Sequence, residues 1–69
     1  SRGLGDVYKR QIELQQQLAQ KQRTVEALQK KVRAEKQFNR QMRLNEEARN
    51  LKRELAMLQK EINQLTIKK

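Results

Sequence analysis

From Ile12 onward, apolar residues return at alternating intervals of four and three along a chain that is otherwise strongly polar. Leu14, Leu18, Val25, Leu28 and Val32 keep that spacing in the first half, with Lys21 on one of the same positions. Leu44, Ala48, Leu51, Leu55, Leu58, Ile62 and Leu65 keep it in the second. Sustained a/d spacing of this kind marks coiled-coil helix. Residues 12–69 contain no Gly or Pro and are rich in Gln, Glu, Lys, Arg, Leu and Ala. All are good helix formers, so the element predicted is long helix.

The two stripes do not share a register. Their a positions run 11, 18, 25, 32 and then 41, 48, 55, 62, a break of two residues. At about 100° per residue this turns the second stripe by roughly 200° from the first, and a single stutter or stammer would not repair it. A chain doubled back about residue 38 does. Leu14 then meets Ile62, Leu18 meets Leu58, Val25 meets Leu51, Leu28 meets Ala48 and Val32 meets Leu44, an a opposite a d in every layer. The fold class expected is all-α: an antiparallel two-helix coiled-coil hairpin, with helices over 12–36 and 42–67 and a turn at 37–41. The alternative is a single long helix that forms a dimeric coiled coil, which the missing Gly and Pro favour; intramolecular closure has an effective concentration near mM for short linkers and favours the hairpin.

Around the expected turn, Asn39 tolerates the left-handed conformation of a helix end. Asn45 before Glu46 and Glu47 reads as a helix N-cap with acids in the first turn. Phe38, Met42 and Leu44 are expected to close the open end as a small apolar lid. Lys21, opposite Leu55, is expected to lay its methylenes along the seam and lift its ammonium to water. Lys31 and Glu47 are expected to face each other across the flank.

Residues 1–11, SRGLGDVYKRQ, hold both glycines, the only aspartate and the only tyrosine. All eleven residues resemble an in-frame reading of the transposase-type adapter used to build sequencing libraries. That resemblance implies a non-native segment, residues 1–11, ahead of a fragment of a larger protein whose own sequence starts at Ile12. Without it, 14 basic and 7 acidic residues remain, a net charge of +7 against +9 for the whole chain. The basic character therefore belongs to the helical part.

Composition limits the chemistry. Residues 12–69 have no His, Cys, Ser, Tyr or Asp, so nucleophile–base pairs and metal clusters lack their parts. No catalytic, cofactor-binding or metal-binding residue is expected, and the chain is read as no enzyme. No apolar run is long enough to span a membrane, and with Phe38 as the one aromatic of this part, membrane-surface binding is not expected either. The absence of cysteine fits a reducing, cytoplasmic setting. With 35% apolar residues in 69, the core is small, and packing against a parent-protein domain, a protein partner or a homo-oligomer is expected.

The candidate binding residues are Lys30, Lys31, Arg33, Lys36, Arg40 and Arg43, opposed locally by Glu35 alone. On an elongated arm such a cluster contacts nucleic-acid phosphates without reading bases, and Phe38 beside it would stack on a base. The plainer reading is that these charges keep the helices soluble and Phe38 closes the hairpin.

The stretch KKVRAEKQFNRQMRLNEEARNLKRELAMLQ, residues 30–59, resembles the C-terminal coiled-coil segment of the bacterial family known as domain of unknown function 4391. The resemblance is carried by Glu35 to Asn39 with Leu44 and Asn45; Gln41, Met42 and Arg43 depart from it conservatively. It implies a coiled coil behind a larger N-terminal domain and, through neighbouring restriction or helicase-type genes, a link to DNA defence. It assigns no binding residue.

Overall fold

The computed structural model describes residues 4–67. Two helices account for nearly all of them: α1, Leu4–Ala34, and α2, Phe38–Ile67. They lie against each other as a helical hairpin, so the single-rod alternative does not hold. The particle measures 55 × 15 × 15 Å with a radius of gyration of 16.0 Å. A compact chain of this length would have a radius near 11 Å. The hairpin is therefore a slender arm, with side chains of both helices sharing one narrow seam.

That seam is the one read from the sequence. Leu14, Leu18, Val25, Ala48, Leu58 and Ile62 are buried, and Leu28, Val32, Leu44, Leu51, Leu55 and Leu65 are half-buried. Burial is not uniform along it. Leu14, Leu18, Leu58 and Ile62 form one cluster, with Leu55 and Leu65 packed against it, so the apolar core sits toward the end away from the turn. Near the turn, Val32 and Leu44 stay partly open. Gln11, Lys21 and Gln41, polar residues at a or d positions, are half-buried as well.

The boundaries differ from those expected. α1 does not begin at residue 12: it runs back through most of the adapter-like stretch. Gly5 costs only about 1 kcal/mol in a helix, Asp6 falls in the first turn where an acid suits the helix dipole, and Val7 and Gln11 continue the d and a positions of the stripe. Ser1, Arg2 and Gly3 of that stretch, with Lys68 and Lys69, lie outside the described residues.

The turn is 35–37 rather than 37–41, and its chemistry explains why it needs neither Gly nor Asn. The Glu35 amide donates to the carbonyls of Lys31 (2.9 Å) and Val32 (3.3 Å), closing α1. The Gln37 amide donates to the Glu35 carboxylate (3.0 Å). The Gln37 carbonyl then accepts from the Gln41 amide (2.9 Å), the first bond of α2. Finally the Gln41 side-chain amide reaches back 3.0 Å to the Val32 carbonyl, satisfying one of the acceptors a helix end leaves open. Asn39 and Asn45 therefore lie inside α2 and cap nothing, and Glu46 and Glu47 fall beyond its first turn.

Candidate binding surface at the tip and flanks

α1 delivers Lys30, Lys31 and Arg33 in its last turn and a half, the turn carries Lys36, and the first two turns of α2 carry Arg40 and Arg43. All six are exposed. None of them enters an ion pair found among the described residues. Glu35, the one carboxylate within their sequence span, is half-buried and bonded to the turn.

Helix geometry nevertheless divides the six. Lys31 and Arg33 are two residues apart, hence about 200° around α1. An open hollow beside the tip is lined by Lys31, Arg40 and Arg43, but Glu35, Glu46 and Glu47 line it too. Three cations facing three carboxylates make a balanced site rather than a phosphate cradle. Arg33 lies on the other flank and Lys30 on the outer back of α1.

The two flanks are set by the g positions. Arg10 and Glu61, both g, meet at 3.0 Å, and Lys31, Arg40 and Glu47, all g, line the one hollow. The g positions of both helices thus share a flank, and the e positions of both share the opposite one. Lys31 and Glu47 do face the same space, as expected, yet no ion pair joins them among the described residues.

Four side chains depart from their expected places. The apolar lid is absent: Phe38 is 69% and Met42 54% exposed, because α2 begins at Phe38 and places residues 38 and 42 one turn apart on the e flank, away from the seam. Only Leu44 turns inward. The Lys21 ammonium does not simply rise to water; it binds the Glu54 carboxylate at 2.8 Å across the seam. Arg10, set apart in the sequence reading, bridges Glu61 and also lies 4.0 Å from Glu13. Glu54 and Glu61 recur at g seven residues apart, and that spacing was the signal that could have found both pairs.

Among the described residues no three His, Cys, Asp or Glu side chains converge to hold a metal, and no described helix is long and apolar enough to cross a membrane. No protein-family model matches the chain, and no curated protein or solved structure matches it.

Proposed function

We propose that residues 12–69 are a non-catalytic interaction and structural module, the C-terminal arm of a larger bacterial protein of the kind the family resemblance implies. The arm packs against a domain of that protein or docks a protein partner. One observation carries the reading: every buried side chain among the described residues is an aliphatic member of the seam. Nothing polar is enclosed among the described residues, so whatever the arm recognises meets its outer surface. Met57 at 71% and Met42 at 54% exposure are apolar contacts available on that surface.

A photo-crosslinking residue at position 57 or 42, in the full parent protein inside cells, tests this. A discrete protein adduct that survives raised salt supports docking. Adducts at neither position would overturn it. A second reading, contact with nucleic acid, is favoured by the exposed basic residues that take no carboxylate partner; adducts confined to nucleic acid and lost with salt would move the function there.

A further inference from the structure

The carboxylates are sorted between the two flanks. Glu47, Glu54 and Glu61 hold g positions, Glu13 lies beside them at c, Glu35 is tied into the turn and Glu46 lines the hollow. The opposite flank, built from the e and b positions, carries Arg33, Arg49 and Lys52, all exposed, against the single acid Glu26. Phe38 and Met42 project from the tip end of that same flank. Residues 38 to 52 of α2 extend over about 21 Å, so the flank offers spaced cations ending at a bare aromatic ring.

We propose that this e/b flank binds single-stranded nucleic acid, its phosphates along Arg33, Arg49 and Lys52 and a base against Phe38. The proposal rests on reading the chain as a binding arm, but it moves the contact away from the hollow at the tip. A cation track with an aromatic platform is the common solution for single strands, because every base has a face to stack. Paired bases in a duplex leave Phe38 unused. A second copy of the chain is disfavoured, since two-fold pairing of this flank sets the same three cations against themselves. An anionic membrane would want more than one aromatic anchor.

The test is fluorescence anisotropy of labelled oligothymidine and of a labelled duplex with the full 69-residue chain, each variant first confirmed as folded by circular dichroism. Three neutralised phosphates give a slope near −2.1, so single-strand affinity falls about 20-fold between about 50 and 200 mM salt. Arg49→Gln with Lys52→Gln leaves one contact and a fall of only about 3-fold. Phe38→Ala weakens the single strand and not the duplex, Glu26→Gln tightens binding, and Arg40→Gln with Arg43→Gln changes little. Equal affinity for the duplex, or for anionic vesicles or polyglutamate, overturns the assignment. Loss of binding with the Arg40/Arg43 pair and not the Arg49/Lys52 pair overturns this flank while leaving a nucleic-acid arm standing. No binding of either nucleic acid at the lower salt removes the inference and leaves protein docking untouched.

Discussion

Leu14→Ala is the most direct probe of how the hairpin is held. Leu14 is 1% exposed and belongs to the cluster with Leu18, Leu58 and Ile62, so truncation removes a fully buried isobutyl group from between two helices. Leu-to-Ala changes at such sites cost about 2–5 kcal/mol, the lost transfer energy plus that of the cavity left behind. A small single core supplies at most about 3–5 kcal/mol in total. If the parent chain has about 4 kcal/mol and the variant loses about 3, roughly one molecule in six is unfolded at 25 °C.

The assay is urea unfolding followed by far-ultraviolet circular dichroism. Most helical stability in a folded protein comes from packing of an apolar face rather than from intrinsic propensity, so the helical signal reports pairing. Met57→Ala is the control: Met57 is 71% exposed, and surface substitutions usually stay within about 0.5 kcal/mol. Midpoints that do not change with protein concentration are expected, because the seam closes within one chain. Equal, small losses for Leu14→Ala and Met57→Ala would refute the reasoning, since Leu14 would then not be enclosed by α2 at all.

The remaining expectations are smaller. Gln41→Ala strands the Val32 carbonyl that Gln41 caps at 3.0 Å and should cost about 1 kcal/mol in the same urea assay; an unchanged midpoint would show that the turn does not depend on this bond. Lys21→Leu exchanges the Lys21–Glu54 pair for an aliphatic seam residue and should raise stability by roughly 0.5–1 kcal/mol, because a half-exposed ion pair gives less than apolar burial; a loss would mean that the pair fixes how the helices align. Arg10→Gln removes both ion pairs of Arg10 and should cost no more than about 1 kcal/mol, fading as salt is raised. Spin labels at positions 22 and 52, both e, should sit close together across the flank; a continuous helix would hold them about 45 Å apart.

The hairpin and all twelve seam positions were legible because they follow from one-dimensional spacing: a two-residue slip between stripes has few three-dimensional solutions. The turn was not. Its closure uses the carboxylate of Glu35 and the side-chain amide of Gln41, and neither residue type signals a helix end, whereas Asn39 and Asn45 do and are nonetheless helical. The start of α1 was missed for a related reason. A stretch set apart by its unusual composition still propagates a helix already nucleated downstream, since each added residue gains a hydrogen bond at little further cost.

The candidate site shows the same division between what spacing carries and what it does not. Charge density along the sequence pointed to six cations at the apex. Folding the chain separates them, because neighbours in sequence are 100° apart on a helix and the doubled-back chain brings Glu46 and Glu47 beside Lys31, Arg40 and Arg43. Sorting residues by heptad position instead of by sequence window recovers the asymmetry: acids at g opposite Arg10 and beside Lys21, amides and bases at e and b. The g-flank acids have a structural occupation in the pairs Lys21–Glu54 and Arg10–Glu61, which draws negative charge to that side. Their absence from the e and b positions, Glu26 apart, leaves the opposite flank as the surface on which a polyanion meets least repulsion. A binding function for this arm is therefore a question about a flank, and substitutions at Arg49 and Lys52, well away from the turn, decide it more sharply than any at the apex.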